Sequence, residues 1–306
     1  MKRRELCVSI GDRISEFIAE KKAVGLSNSS LENYRMTLKL FLRDNEIGEE
    51  EEVTVLTKSL YDEWVTVKIE GLTKANSLLH HCRGIRVFYY YLMERGDINF
   101  FKIKLPSLQK ENTVKRYTDS ELSSLLTTPK KEDPYWVWRD FLLCSLMVST
   151  GARIGSLCNL KTEDITDSSV ILNKTKNKKP LVLPLSSSLK SAIRKYLNTW
   201  ELESEYLLLS SKEGRQLTTR TAYHSFEKYC ELRGVEFKGL HTMRHTFAYN
   251  LYKSGMDIVS LQYLLGHSNI ELTRAYIGSL CGEDLPDFVN PLDRILNTKP
   301  KGVRRK

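Results

Sequence analysis

The stretch that decides the fold of this chain is "HTMRHTFAYNLYKSGMDIVSLQYLLGHSNIELTRAY", residues 241 to 276. Its apolar residues recur at helical spacing on both sides of Gly255, which predicts two helices joined by a glycine turn. Packing explains the leucines of this stretch but not its polar residues. These include three of the chain's six histidines, two arginines and a closing tyrosine: His241, His245, His267, Arg244, Arg274 and Tyr276.

Two kinds of site could explain these polar residues, a zinc site and a phosphodiester-binding site. His241 and His245 are spaced i, i+4, as zinc ligands on one helix face often are. The zinc motif HExxH has a glutamate at its second position, however, where this chain has Thr242, and Arg244 would bring a positive charge to the metal. We therefore predict no metal site. A phosphodiester fits better, because arginine donates a fork of hydrogen bonds to phosphate oxygens, histidine exchanges protons near neutral pH, and a tyrosine hydroxyl can attack to form a covalent ester.

Composition narrows the class of protein. The 306 residues include 47 Lys and Arg against 38 Asp and Glu, a net charge of +9 that fits a polyanionic partner. The six cysteines lie far apart without a CxxC pair, which argues against a disulfide framework and fits a cytoplasmic protein. No apolar run approaches the roughly 18 residues of a spanning helix, and the N-terminus lacks the apolar stretch of a signal peptide. We expect no membrane association.

Hydrophobic periodicity predicts two mainly helical domains. Residues 1–105 have helical stripes in "SNSSLENYRMTLKLFLRDN" and "ANSLLHHCRGIRVFYYYLMERGDI". Residues 106–117 are polar, basic and aperiodic, as in a linker, and residues 118–306 form a second domain that opens with a capping-box pattern, Thr118 to Glu121. In that domain "SSVILNKTKNKKPLVLPLS" predicts a small β-hairpin or three-strand sheet, and we expect helix again from there to about residue 277.

The order of short motifs in the second domain resembles one known family. H-x-x-R-H, then G-H-S, then a tyrosine nine positions after that histidine is similar to the tyrosine recombinases, which include phage-type integrases and Xer-type recombinases. Upstream, "TGARIGSLCNLKTEDI" at residues 150–165 resembles the first-arginine motif of the family. "LENYRMTLKLFL" resembles, less specifically, its core-binding domain. The resemblance implies a helical core-binding domain followed by an α+β catalytic domain.

The resemblance also assigns site residues. Arg153 and Arg244 match the two arginines that clamp the scissile phosphate, and His241 matches the histidine beside the second of them. His267 matches the later histidine of the family, and Tyr276 matches the nucleophile. His245 also follows the motif, and we interpret it as a structural hydrogen-bonding residue.

Further residues follow from the same comparison. The hairpin lysine of the family matches Lys176 by its spacing from the first arginine, with Lys174 as the alternative. The family usually has an acidic residue three positions after the first arginine, and this chain has Ser156 there, so a supporting contact is altered. We expect DNA contacts from basic residues in both domains: Lys74, Arg83, Arg86, Lys178, Lys179 and Arg274.

The implied function is site-specific DNA recombination, the cutting and rejoining of duplex DNA through a 3′-phosphotyrosyl link to Tyr276, without a cofactor. A type IB topoisomerase and a DNA-binding regulator on an inactive scaffold stay open as alternatives. The resemblance implies a monomer in solution that forms a homotetramer on two synapsed DNA duplexes, in the setting of a mobile genetic element. The C-terminal tail, residues 278–306, either docks on a neighbouring protomer or packs on its own domain. Accessory proteins are unknown.

Overall fold

The chain folds into two compact units, Met1–Glu111 and Asn112–Lys306. The structure, a computed structural model, describes residues 8–71, 73–108, 115–175, 179–211 and 213–281. The border between the units falls inside the predicted linker, part of which lies outside the described residues, as does the predicted docking tail beyond residue 281. Across the described ranges, no helix is both long and apolar enough to cross a bilayer.

The first unit is helical over its described residues. Ser27 begins the second helix by accepting the backbone N–H of Ser30, and the apolar stripe predicted for that helix is buried at Leu38 and Phe41. The fourth helix ends, as its sequence predicts, at Gly96, whose φ of 77° lies in the left-handed region that favours glycine. The elements are α1 (Ile10–Ala23), α2 (Asn28–Asp44), the 3-10 helix Val53–Val55, α3 (Lys58–Glu70) and α4 (Ala75–Arg95).

The second unit begins with α5 (Asp119–Leu125), α6 (Tyr135–Thr150) and α7 (Ile154–Leu157). The predicted capping box at the start of α5 is present, because Thr118 and Glu121 each accept the backbone N–H of the other. Almost the whole of α6 is buried, and the helix ends at Gly151 with φ of 60°. A Cβ at that position would overlap the ring of Phe247, so the close approach also requires glycine.

A small antiparallel sheet follows, made of β1 (Ser169–Leu172) and β2 (Leu181–Pro184). Val170 pairs with Leu183, and both are buried, whereas Val182 is exposed. Of the two predicted alternatives, the hairpin is therefore the correct one among the described residues. Residues 176–178, which belong to the connection between the strands, lie outside them.

The expectation of continuous helix after the sheet is wrong for one segment. Helices α8 (Ser187–Thr199) and α9 (Thr219–Leu232) are separated by residues 200–218, where the described part is irregular. Leu207, Leu208 and Leu209 are consecutive and fully buried there. A helix with one solvent-facing side does not bury three successive residues, and this backbone instead forms strand-like bonds, as from the N–H of Leu207 to the C=O of Leu160.

The opening stretch of sequence forms the last three helices, α10 (Leu240–Lys253), α11 (Ile258–Leu265) and α12 (Ile270–Cys281). As predicted, Gly255 makes the turn after α10, with φ of 85°. Gly266 ends α11 in the same left-handed region. α10 contacts α6, α11 and α12, so its side chains can meet residues from each of them.

Candidate active site

Arg244 is the buried centre of a polar cluster between the ends of several helices. Its side chain is almost fully buried, and Nη1 donates to the C=O of Gly151 at 2.9 Å. Nη2 donates to the C=O of Leu265 at 2.6 Å and lies 3.1 Å from Nε2 of His267. These carbonyls are available because they stand at the last turns of α6 and α11. Since a guanidinium has five N–H groups, these three contacts leave the N–H on Nε and one on Nη1, and Arg244 also interacts with the hydroxyl of Tyr276.

Arg153 lies beside Arg244, and no acidic side chain of the described residues pairs with it. It directly precedes α7 and is half-buried, and burial lowers its pKa. Burial, and then the charge of Arg153, lower the pKa of Arg244 to about 10, so both stay cationic at neutral pH. Arg153, Arg244, His267 and Ser156 line a cavity of about 720 Å³, and no Asp or Glu is among its described lining residues. Ser156, which replaces the acidic residue expected by resemblance, therefore leaves this cavity positively charged.

Tyr276 on α12 contacts the same cluster. Its Oη is buried and makes no hydrogen bond of ordinary geometry with the described residues. Burial raises the pKa of Tyr276 to about 12, while the nearby charges of Arg244 and Arg153 act in the opposite direction. The ring stacks on His245 at 5.2 Å and meets the ring of His267 edge-on at 5.6 Å. A protonated phenol therefore lies close to two cations, which would stabilise its phenolate.

His245 packs against two rings of the cluster, and its interpretation as a structural hydrogen-bonding residue stays a prediction. Its Nδ1 is buried and has no hydrogen-bond partner among the described residues. Its ring stacks on Tyr276 and meets the ring of His241 edge-on, with ring centres 4.6 Å apart. Burial is the main cause that lowers the pKa of His245 to about 4. It also lowers the pKa of His241, because the imidazole packs against the ring of His245 although other parts of the residue are exposed. Both rings are neutral at physiological pH.

Two residues of the site were not identified from sequence. Thr273, fully buried on α12, bonds Nδ1 of His267 at 3.0 Å. Tyr263 on α11 donates its hydroxyl to the C=O of Val182 at 3.2 Å and so ties the hairpin to the helix that precedes His267. No pattern distinguishes a lone threonine or tyrosine at these helical positions, because their roles depend on tertiary contacts.

The structure describes two of the four hairpin lysines. Lys176 and Lys178 lie outside the described residues. Lys179 lines the cavity, whereas Nζ of the alternative Lys174 donates to Oδ1 of Asn159 at 3.2 Å.

The basic residues expected to contact DNA differ in their exposure and in their contacts. In the first unit, Lys74 and Arg83 are exposed, and Arg83 lines a groove of about 230 Å³ between α2 and α4. Arg86 is half-buried and does not line that groove. In the second unit, Arg274 is exposed and forms an ion pair with Glu271 at 2.8 Å. Over the described chain, no group of three or more side chains that bind metals comes together.

Comparison with known proteins identifies relatives of this chain. Residues 115–281 match the model of the phage integrase family. Tyrosine recombinase XerA of Thermococcus kodakarensis is 33% identical over 193 residues, which are 61% of this chain and 66% of the relative. A tyrosine recombinase of Pseudothermotoga lettingae is 30% identical over 270 residues, which are 82% of this chain and 86% of the relative.

Among solved structures, a lambda integrase tetramer bound to a Holliday junction has the same fold, with a TM-score of 0.72 at 18% identity, over 94% of this chain and 81% of that one. The family match spans more than half of the sequence and runs from before Arg153 to beyond Tyr276. The resemblance predicted from short motifs is thus confirmed, and the chain belongs to the phage integrase family, together with the Xer-type tyrosine recombinases.

Proposed function

We propose that this chain is a site-specific DNA recombinase that cuts and rejoins duplex DNA through a covalent bond to Tyr276. The observation that carries the proposal is the cavity beside this tyrosine, where Arg153 and Arg244 share a space without an acidic residue among its described lining. A phosphodiester supplies the missing negative charge and fits the arginine forks. The relatives named above are tyrosine recombinases, which favours this function over a type IB topoisomerase or an inactive regulator.

The reaction is a transesterification at phosphorus. The phenolic oxygen of Tyr276 forms a bond to phosphorus, and the bond from phosphorus to the 5′ oxygen breaks, which leaves a 3′-phosphotyrosyl link and a free 5′-hydroxyl. Arg153 and Arg244 stabilise the charge that develops on the non-bridging oxygens. His241 either assists removal of the phenolic proton or stabilises the phosphate. Lys176, with Lys174 as the alternative, protonates the 5′ oxygen. Because one ester replaces another, the reverse reaction with a new 5′-hydroxyl rejoins DNA without a cofactor.

The test is covalent capture of DNA. A suicide substrate, nicked so that the cleaved 5′ end diffuses away, should give a protein–DNA adduct with the intact chain and none with Tyr276→Phe. DNA affinity of this variant should stay near that of the wild type, because only one hydroxyl is lost. Tyr223→Phe is a matched control, since Tyr223 is an exposed tyrosine on α9 that packs edge-on against Phe237. An adduct formed by Tyr276→Phe would show that another residue is the nucleophile.

Both units contribute to binding of duplex DNA in this proposal. Lys74, Arg83 and Arg86 act from residues 1–105, with the linker at 106–117, and Lys178, Lys179 and Arg274 act from the catalytic domain at 118–306. The exposure of Arg83 beside a groove supports its role. Replacement of Arg83 by alanine should weaken DNA binding more than replacement of Arg35, an exposed arginine on α2 paired with Glu32. Equal effects would contradict a specific role for Arg83.

We further propose a homotetramer on two synapsed duplexes, formed from monomers through the tail at residues 278–306. The lambda integrase structure, a tetramer bound to a Holliday junction, supports this by analogy of fold. Truncation after Gly282 should preserve single-site binding and remove synaptic complexes in sedimentation. Tetramers formed equally well without the tail would mean that it packs on its own domain. The cytoplasmic location and the association with a mobile genetic element stay predictions.

A further inference from the structure

Thr273 connects the helix of the tyrosine to the buried arginine. It is fully buried on α12, three residues before Tyr276, and its Oγ1 lies 3.0 Å from Nδ1 of His267. The other ring nitrogen of His267, Nε2, lies 3.1 Å from Nη2 of Arg244. One imidazole therefore bridges α12 and α10. The next turn of α12 carries the tyrosine.

These contacts determine where the proton of His267 resides. A guanidinium only donates hydrogen bonds, so Nε2 of His267 must accept from Arg244 and carries no proton. A neutral imidazole has its one proton on the other nitrogen. Nδ1 of His267 therefore donates to the hydroxyl oxygen of Thr273. A doubly protonated ring would direct an N–H group at Arg244, which agrees with the lowered pKa of His267, about 4, caused by burial and then by the charges of Arg244 and Arg153.

We propose that Thr273 is a positioning residue for DNA cleavage. Its hydroxyl accepts the Nδ1–H of His267 and holds the ring in the orientation in which the bare Nε2 meets one edge of the Arg244 guanidinium. The remaining N–H groups of Arg244 are thereby directed toward the phosphate. Because Thr273 and Tyr276 share one helix, the contact that Thr273 makes through His267 to the arginine forms only when that helix is seated. The cleavage part of this inference rests on the proposed function.

Nitrogen NMR of the full chain tests the tautomer without any DNA chemistry. In the wild type, the ¹⁵N signals of His267 should show a protonated Nδ1 and an unprotonated Nε2. Thr273→Val keeps the shape of the side chain but leaves Nδ1–H without its acceptor, so the ¹⁵N signal of Nδ1 should shift and broaden as the ring loses its fixed orientation, and Thr273→Ser should restore the wild-type signal. A proton on Nε2 in the wild type would overturn the inference even if no variant folds.

The rate of DNA cleavage tests whether Thr273 positions Arg244 for the reaction. Single-turnover cleavage by Thr273→Val should be slower by roughly 2- to 13-fold, the range for loss of one hydrogen bond, with unchanged DNA affinity. Thr273→Ser should cleave as the wild type does. A wild-type rate in a Thr273→Val protein whose Nδ1 signal has changed would refute the positioning role. The tautomer is read without cleavage, so absence of any adduct from the wild type would count against the proposed function and not against this measurement.

The chain provides a spectroscopic control in its first unit. Thr37, buried on α2, bonds Nδ1 of His81 at 3.1 Å, a pair of the same chemistry. Thr37→Val should change the ring signals of His81 and leave those of His267 as they are. A change in the ring signals of His267 in this variant would mean that they report a general loss of packing in the protein rather than the Thr273 contact.

Discussion

Replacement of Arg244 by lysine separates the charge of this side chain from its geometry. The guanidinium makes three contacts at once, with two helix-end carbonyls and with His267, and it retains N–H groups for a phosphate. A lysine ammonium keeps the positive charge, but its three N–H groups radiate from one atom. It cannot reach the carbonyls of Gly151 and Leu265, bond His267 and also meet a phosphate. Geometry, rather than charge, is what Arg244→Lys removes.

The expected magnitudes follow from these lost contacts. Loss of one preorganised donor to the charge of a transition state slows reactions by about 10² to 10³, or about 2.7–4 kcal/mol, so cleavage should fall by that factor. Each buried carbonyl left without a donor also costs about 1–3 kcal/mol of folding free energy. The variant should therefore melt earlier, and its cleavage must be measured well below its melting temperature, with DNA in excess over the dissociation constant.

Arg139→Lys is the matched control for stability. Arg139 on α6 is also buried and also donates to two carbonyls, those of Leu209 and Ser210, but it pairs with Asp140 and does not line the cavity. Its replacement should lower the melting temperature and leave single-turnover cleavage by the folded protein unchanged. Near-wild-type cleavage by Arg244→Lys, or an equal loss in Arg139→Lys, would refute the role of Arg244 geometry.

Three further predictions concern the hairpin, pH and salt. Tyr263→Phe removes the donor to Val182 and should slow cleavage of ordinary DNA, in which the hairpin lysine protonates the 5′ oxygen. DNA with sulfur at the leaving 5′ position should be cleaved at the wild-type rate, because a thiolate leaves without a proton. Equal slowing of both substrates would contradict a positioning role for the hairpin. His245 and His267 have pKa values of about 4 in the folded protein, below the unfolded value of about 6.5. Between these two pH values the unfolded chain binds more protons than the folded protein, so the melting temperature should fall as the pH drops from about 6.5 to about 4. In His245→Gln this fall should be smaller, and an unchanged slope would contradict the assignment. If about six to ten phosphates are contacted, DNA affinity should drop by roughly 10³ to 10⁵ between 50 and 200 mM salt, and a flat response would exclude such a contact surface.

Local rules explain which parts of the fold could be predicted from sequence. The capping box of Thr118 and Glu121 and the glycine ends at Gly96 and Gly151 depend on neighbouring residues, so their patterns are visible in the chain itself. The irregular segment at 200–218 was missed because its backbone partners, such as Leu160, are distant in sequence. Short apolar runs of this kind do not reveal whether they form a helix or strand-like pairing.

The candidate site likewise contains residues that could be predicted from sequence and residues that could not. Its arginines, histidines and tyrosine are visible as motifs because these residue types are rare in such an arrangement. Thr273 and Tyr263 act through single hydroxyl contacts with partners on other segments, and nothing in the sequence distinguishes them from residues that only pack. His245 shows the limit of a motif, since the pattern identified the residue but not that its ring would stack on Tyr276.

The two buried arginine environments of the second unit show why the cavity requires an anion. Arg139 is neutralised by the adjacent carboxylate of Asp140, so its burial is complete without a ligand. Arg244 and Arg153 have no such partner among the described lining residues, and their fields help to keep His267 neutral. An entering phosphate would cancel part of that field. Its binding should therefore raise the pKa of His267 and take up protons near pH 4 to 6, whereas a carboxylate already present in the cavity would remove both the anion affinity and this proton uptake.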